Sequence, residues 1–149
     1  MTQMRNFKRQ CSLAAVLLLL GAMLFAVPQM RDAGADAGLP QLVTMDDVQT
    51  AINTSAPVLF QFDAKWCGYC RALQPHLQKL RDKRLKSELH MYQINVSTAH
   101  EVAAEFGVQS LPTMFIVYKG KVVGYKRGGM SERELFDWVE GVEAEIRKG

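Results

Sequence analysis

The stretch QFDAKWCGYCRALQP, residues 61–75, holds two cysteines separated by two residues, Cys67 and Cys70. The apolar run VLFQFDA that leads into it is typical of a strand buried on both faces, and apolar residues at helical spacing follow it. We therefore expect Cys67 at the N-terminus of a helix, where unpaired N–H groups and the helix dipole stabilise a thiolate and lower its pKa. Cys70 lies nearly one turn further on. The spacing predicts one attacking and one resolving thiol.

Two other roles for the cysteine pair compete with thiol–disulfide exchange. A zinc site needs two more ligands, and His76, His90 and His100 have no ligand spacing relative to the cysteines, so no metal is expected. A purely structural disulfide would close a loop too short to constrain the unfolded chain much. The position of the pair where a strand meets a helix favours a redox function.

Composition predicts one globular domain and argues against nucleic-acid binding. The chain has 149 residues, of which 48% are apolar and 22% charged, and three of them are cysteines. Its formal charge of +3 arises in the first 35 residues, where Arg5, Lys8, Arg9 and Arg31 face Asp32 alone. The rest of the chain is neutral overall, so it lacks the excess of cations that neutralises phosphates.

The N-terminal segment has the pattern of an export signal. Residues 1–10 contain three basic side chains and no acidic ones, and the uncharged run LAAVLLLLGAMLFAV follows. We predict that residues 1–35 are a signal peptide, or a membrane anchor with a linker, and that residues 36–149 are the folded domain. Small residues around position 35 suit a signal peptidase, whereas residues 11–30 could just span a bilayer uncleaved. Both outcomes place the domain outside the cytoplasm, in the periplasm, soluble or tethered to the inner membrane.

The remaining sequence predicts five strands. Short apolar runs favour strands at 41–43, 58–64 and 89–96. The segments TMFIVYKG and KVVGYKRG form a predicted antiparallel pair that turns at Lys119-Gly120-Lys121.

Helices are expected between these strands and at the C-terminus. Thr44 and Asp47 begin a predicted helix at 45–54, and the helix after Cys67 should run to about Lys86. Two predicted capping boxes, Thr98 with Glu101 and Ser131 with Glu134, begin the last two helices. The helix that begins at Thr98 should end at Gly107. The order β-α-β-α-β-α-β-β-α predicts an α/β fold with a mixed sheet and helices on both faces.

Over roughly residues 40–147 the chain resembles the thioredoxin family. WCGYC matches the family's WCxxC motif, and Pro75 matches the proline in its active-site helix. The segments 106–108 and 110–113, FGV and SLPT, resemble the family's YGI and IPT. The resemblance implies a thioredoxin fold and a cis peptide bond before Pro112, which would lie against the two sulfurs.

The resemblance also implies where protein substrates bind. The backbone of Leu111 would be free to pair with an extended substrate strand. Gly128 and Gly129 match glycines beside the family's active-site surface. A shallow apolar groove would be framed by Trp66, Gly68, Tyr69, Leu111, Pro112 and Gly128.

Three features depart from the family's pattern. Cytoplasmic thioredoxins carry a buried Asp six residues before the first cysteine and a Lys nineteen before the cis-proline, and this chain has Gln61 and Gln93 there. A proton relay would run through water beside Gln61 or through Asp63, unless Asp63 is a partly exposed turn residue. Gly-Tyr replaces Gly-Pro between the cysteines, and the loss of that proline tends to make a disulfide more oxidising.

These features together predict an enzyme, a protein-disulfide oxidoreductase that needs no metal or organic cofactor. The first interpretation is a monomeric periplasmic reductant, which acts on protein disulfides and receives electrons from a membrane or soluble thiol–disulfide donor. An oxidant or isomerase is the second interpretation. The third is a non-catalytic scaffold that holds client cysteines.

Overall fold

The computed structural model describes residues 37–84 and 88–149. The predicted export segment, residues 1–35, lies outside the described residues. Within the described ranges, no helix has the length and apolar character needed to cross a membrane. The elements, in chain order, are α1 (Met45–Ile52), β1 (Val58–Asp63), α2 (Gly68–Lys83), β2 (His90–Asn95), α3 (His100–Glu105), β3 (Thr113–Tyr118), β4 (Lys121–Arg127) and α4 (Glu132–Lys148).

The four strands form one mixed sheet in the order β2-β1-β3-β4. β1 runs parallel to β2 and antiparallel to β3, and β3 pairs antiparallel with β4. All six residues of β1 are buried, because this central strand is covered on both faces. The mixed sheet predicted from the sequence is confirmed.

The hairpin between β3 and β4 turns where the sequence predicts. Lys119 has φ +50° and Gly120 has φ +73°. A two-residue hairpin turn with both φ angles positive matches the twist of the flanking strands, and glycine adopts such angles without a steric penalty.

The predicted strand at 41–43 is not formed. Gln41 makes a single parallel bridge with Gln93 of β2. Thr44 then caps α1, because its side chain accepts the Asp47 N–H at 3.1 Å while the Asp47 carboxylate accepts the Thr44 N–H at 2.8 Å. The chain must leave the sheet to enter this cap, so the described elements begin with a helix.

Of the two predicted capping boxes, one is confirmed and one is wrong. The Ser131 hydroxyl accepts the Glu134 N–H at 3.3 Å, and the Glu134 carboxylate accepts the Ser131 N–H at 2.8 Å. This hydrogen bond from the Ser131 backbone holds the pKa of Glu134 below its usual value. Thr98 instead donates its hydroxyl to the Asn95 carbonyl at 3.2 Å, and α3 begins later, after Ala99, without a side-chain cap.

The helix after Cys67 is shorter than predicted. α2 ends at Lys83 and not near Lys86, and residues 85–87 lie outside the described residues. Arg84, at the end of α2, donates to the Glu143 carboxylate at 2.7 Å and so ties α2 to α4.

The two faces of the sheet carry different cores. The aromatic face, covered by α1 and α3, is built around Phe60, Phe62, Phe106 and Phe115. The aliphatic face, covered by α2 and α4, is built around Leu59, Leu73, Leu77, Leu80, Ile116 and Leu135. Side chains alternate along a strand, so Phe60 and Phe62 of β1 serve the aromatic face and Leu59, Gln61 and Asp63 the aliphatic one. Two polar residues therefore lie on the aliphatic face, at the end of β1 that leads to the cysteines.

Candidate active site

Cys67 occupies the N-cap of α2, as the sequence predicts. Its extended backbone, φ −82° and ψ 107°, directs the sulfur over the first turn of the helix. The Cys70 N–H donates to the Cys67 Sγ at 3.1 Å. The two cysteines form a disulfide, with their Cα atoms 5.2 Å apart. A sulfur held by a helix N–H in this way is placed to carry negative charge once the disulfide is reduced.

The two sulfurs differ in their access to solvent. Cys67 is 6% exposed and Cys70 is 1% exposed, and both pack against Ala64. The half-buried side chains of Val96 and Leu111 cover the pair. A disulfide brought to the surface therefore meets Cys67 before Cys70. Among residues 37–84 and 88–149, no group of three or more His, Cys, Asp or Glu side chains is arranged to hold a metal ion.

An open groove of about 510 Å³ lies beside Cys67. Trp66 and Tyr69 are 71% and 74% exposed, which is unusual for large apolar side chains. The lining consists of Trp66, Cys67, Gly68, Tyr69, Val96, Ala103, Val108, Gln109, Ser110 and Leu111.

The structure brings four of the six residues predicted to frame the groove into its lining. Pro112 and Gly128 do not line the groove, and the Gly128 N–H donates to the Pro112 carbonyl at 2.8 Å. Sequence reasoning missed the five lining residues that come from α3 and from the loops before and after it. Their apolar or neutral character carries no functional signal, since only the fold brings them to the cysteines.

The peptide bond between Leu111 and Pro112 is cis, as the family resemblance implies. The Leu111 side chain packs on the cluster of Ala64 and the two cysteines. Its backbone N–H and C=O have no hydrogen-bond partner within the described ranges. Contact between the Pro112 ring and the sulfurs stays a prediction.

Tyr69 lies over the loop between β4 and α4. A Cβ added to Gly129 would stand 3.3 Å from the Tyr69 Cδ1, so the tyrosine ring rests on the glycine backbone. Gly128 has φ +92°, a left-handed conformation that favours glycine. The glycine pair therefore supports one wall of the groove.

Asp63 is buried and bonded to two amides. It is the last residue of β1 and is 5% exposed, so the alternative of a partly exposed turn residue is wrong. The Gln74 Nε2 donates to the Asp63 Oδ2 at 3.2 Å, and the Gln93 Nε2 donates to the same oxygen. We call these three residues the Asp63 cluster. A buried carboxylate needs such donors, because burial without them carries a large free-energy penalty.

Gln61 lies next to this cluster without joining it through a hydrogen bond. It is 0% exposed and pairs in register with Gln93 of β2. Neither its Nε2 nor its Oε1 has a hydrogen-bond partner among the residues that the structure describes.

One member of the Asp63 cluster, Gln74, lies one helical turn after Cys70. Gln74 follows Cys70 by four residues in α2, and both side chains are buried on the same face of the helix. Sequence reasoning missed Gln74, because a glutamine in a helix is usually exposed. Its place between Leu73 and Leu77, on the face that continues from Cys70, was the available signal.

Comparison with known proteins agrees with this geometry. The family model described as Thioredoxin matches residues 40–141. The chain is 32% identical over 115 residues to "Probable thioredoxin-2" of Caenorhabditis elegans, covering 76% of this chain and 79% of that protein. It is 29% identical over 94 residues to thioredoxin of Haemophilus influenzae, covering 63% of this chain and 87% of that protein. The X-ray structure of Fasciola hepatica thioredoxin matches with a TM-score of 0.62 and 28% identity, over 66% of this chain and 94% of that one. The predicted fold is thereby confirmed.

Proposed function

The chain belongs to the thioredoxin family and is a dithiol–disulfide oxidoreductase whose Cys67–Cys70 pair exchanges electrons, and we propose that it reduces protein disulfides outside the cytoplasm. Thioredoxins act on protein disulfides. The observation that carries the proposal is the Cys67 sulfur at the N-cap of α2, which accepts the Cys70 N–H at 3.1 Å.

The first step forms a mixed disulfide. In the reduced protein the Cys67 thiolate attacks one sulfur of the substrate disulfide, which forms a bond to Cys67 and breaks the substrate S–S bond. The other substrate sulfur leaves as a thiolate and takes a proton from water. The helix N-terminus supports this step because it stabilises the attacking anion.

The second step releases the substrate. The Cys70 thiol gives its proton to the Asp63 carboxylate, and the resulting thiolate attacks the Cys67 sulfur. The Cys67–Cys70 disulfide forms and the second substrate sulfur leaves as a thiolate, which takes a proton from water while Asp63 returns its proton to the solvent. The substrate thus gains two electrons and two protons. The burial of Asp63, and its hydrogen bond from Gln74 one helical turn after Cys70, support this assignment.

The groove beside Cys67 supports an extended protein segment as the substrate. The Leu111 backbone groups offer a hydrogen-bond pair of the kind that a substrate strand completes. Trp66 and Tyr69 present exposed apolar surface in the same groove. The contact is sequence-tolerant, because backbone groups and apolar surface supply most of it.

The N-terminal sequence supports export to the periplasm. A basic start followed by an uncharged run at 13–27 is the pattern that directs a chain across the membrane. A membrane or soluble thiol donor then returns two electrons to the Cys67–Cys70 disulfide. Cell fractionation with the full-length chain tests this location, and recovery in the cytoplasm alone would contradict it.

The central experiment replaces the cysteines one at a time. Cys67→Ser should abolish the reduction of insulin disulfides, and Cys70→Ser should trap a covalent adduct with the substrate. Cys11→Ser is the matched control and should keep full activity, since Cys11 lies in the export segment. Unchanged turnover in the Cys67→Ser variant would refute the assignment.

The residues between the cysteines favour a second function, that of an oxidant or isomerase. Gly68-Tyr69 lacks the proline that rigidifies a reducing motif. Equilibration of the Cys67–Cys70 couple with glutathione decides between the two. A potential near about −270 mV indicates a reductant, and one near about −120 mV indicates an oxidant.

A further inference from the structure

Residues 37–42, the N-terminal arm, are packed into the domain and do not behave as a linker. Ala37 is 0% exposed and Leu39 is 4% exposed, both within the aliphatic core. The arm lies along β2, where the Gln93 N–H donates to the Pro40 carbonyl at 3.0 Å and the Leu42 N–H donates to the Gln93 carbonyl at 3.0 Å. Both the backbone N–H and the backbone C=O of Gln93 are therefore bonded to the arm.

The arm also holds the second amide of the Asp63 cluster. The Ala37 N–H donates to the Gln74 Oε1 at 2.7 Å, while the Gln74 Nε2 donates to the Asp63 Oδ2 at 3.2 Å. A backbone N–H can only donate and an ionised carboxylate can only accept. These two partners together fix the orientation of the amide, with its oxygen towards the arm and its nitrogen towards Asp63.

The same six-residue segment thus holds the Gln74 amide directly and Gln93 through its backbone. We propose that the N-terminal arm is a positioning element of the redox site, which aims the Gln74 and Gln93 amides at Asp63 and so sets how readily Asp63 takes the Cys70 proton. This proposal rests on the disulfide exchange proposed above. It assigns a role in proton transfer to a segment that touches neither cysteine.

The influence of the arm on the protonation of Asp63 can be measured through the pH dependence of activity, given the groups that surround Asp63. From α2, the titratable groups on its side are the Cys67 and Cys70 thiols. β2 presents the uncharged Gln93, and β3 presents Met114, which is also buried in the aliphatic core. The arm contributes backbone groups, with the Arg81 guanidinium bonded to the Ala37 carbonyl. Because the hydrogen bonds from the two amides favour the charged carboxylate, loosening them should make Asp63 easier to protonate.

The test weakens the hold on the arm without changing a residue of the cluster. Gly38 has φ +65°, and a Cβ there would push aside the Arg81 guanidinium, the flexible end of the side chain that binds the Ala37 carbonyl. Gly107 has φ +63° and no atom within 4 Å of an added Cβ, so Gly107→Ala carries the same backbone penalty without the collision. Gly38→Ala is the test variant and Gly107→Ala is its matched control.

Insulin reduction by the full chain is measured between about pH 5 and pH 9. The wild-type rate should fall at acid pH as the Cys67 thiolate and Asp63 become protonated, and only the Asp63 part should respond to the arm. In Gly38→Ala this acid limb should move up by about half a pH unit or more, and Gly107→Ala should follow the wild type. Gln74→Met, which keeps the side-chain length and removes both amide bonds, should shift the limb in the same direction.

Asp63→Asn completes the design. It should slow insulin reduction and leave only the acid limb set by the Cys67 thiol, and adding Gly38→Ala should then have no further effect on the profile, since both changes act through one carboxylate. A Gly38→Ala profile that coincides with that of Gly107→Ala would overturn the role of the arm, as would an undiminished shift in the double variant. The proposed function fails in a different way, through activity that survives Cys67→Ser.

Discussion

The aromatic face of the sheet and the Asp63 end of the aliphatic face are built on the same strand, one residue apart. On the aromatic side, Phe62 packs on Phe106 and Phe115 with ring centroids 5.2 and 5.7 Å apart. On the other side, Asp63 and Gln61 place polar groups in a position where the rest of the strand is apolar. The ring cluster gains free energy from burial and from ring geometry, whereas the polar end needs a partner for each atom it buries.

The difference separates what holds the domain together from what serves the cysteines. Among residues 37–84 and 88–149, the buried polar side chains are on or beside β1, near the end that continues into the N-cap of α2; they are Gln61, Asp63, Gln74, Gln93 and Thr113. A carboxylate placed there lowers stability unless donors surround it, and two amides supply them. The rule that core-facing side chains are apolar is therefore broken beside the cysteines and obeyed along the rest of β1.

The largest expected effect on stability lies in the aromatic face. Phe60 is fully buried and touches Tyr92 and Phe106, so Phe60→Ala should lower the free energy of unfolding by about 3–5 kcal/mol. Urea denaturation measures this change. The reduction potential of the Cys67–Cys70 couple should stay the same, because the phenylalanine faces away from the aliphatic side. A large change in the potential would erase the distinction between the two regions.

Replacing Gln61 on the aliphatic face should increase stability, in contrast to replacing Phe60. Both polar atoms of its side chain are buried without a partner in the described part of the chain, so replacing them with apolar atoms removes a desolvation penalty. Gln61→Leu should raise the free energy of unfolding by about 1–2 kcal/mol in urea denaturation. Gln93→Leu is the contrasting variant and should destabilise, since it removes a donor to Asp63. A less stable Gln61→Leu protein would show that this amide is satisfied in solution.

How far the sequence predicts the molecule depends on how local each feature is. The burial of β1, the Lys119-Gly120 turn and the N-cap position of Cys67 follow from side-chain periodicity and turn chemistry within a few residues. The cis bond before Pro112 came from family resemblance, not from the residues themselves.

Features made by distant contacts were not predictable in the same way. Gln74 bonds to Asp63 across 11 positions and to Ala37 across 37, and nothing in either local sequence indicates these pairings. The local sequence of the arm predicts only a short strand at 41–43, because the burial of Ala37 and Leu39 depends on contacts with α2 and β2. Thr98 shows that a correct local pattern can also fail, when its hydroxyl bonds to a preceding turn.

The smallest expected effect on stability is the loss of a helix cap, which can be compared between the helices on the two faces of the sheet. Ser131 caps α4 over the aliphatic face, so Ser131→Ala should lower the free energy of unfolding by about 1 kcal/mol. Thr98 provides no cap for α3 over the aromatic face, and Thr98→Ala should change little. The pKa of Glu134 is lower in the folded protein than in the unfolded chain. The stabilisation from its ionised carboxylate is therefore fully present above the unfolded-state pKa, and it is lost as the pH falls through the folded-state pKa. The cost of Ser131→Ala in thermal denaturation should therefore shrink at acid pH. Equal effects of the two substitutions would contradict the assigned caps.

The central claim is that the N-terminus of α2 holds the Cys67 sulfur as an anion. Reduce the full chain and follow thiolate formation by ultraviolet absorbance as the pH rises. We predict that one thiol ionises well below the value of about 8.5 for a free cysteine, and that Cys67→Ser removes this transition while Cys70→Ser retains it. If neither Cys67 nor Cys70 ionises below that value, no activated nucleophile exists at this site and the proposed chemistry is contradicted.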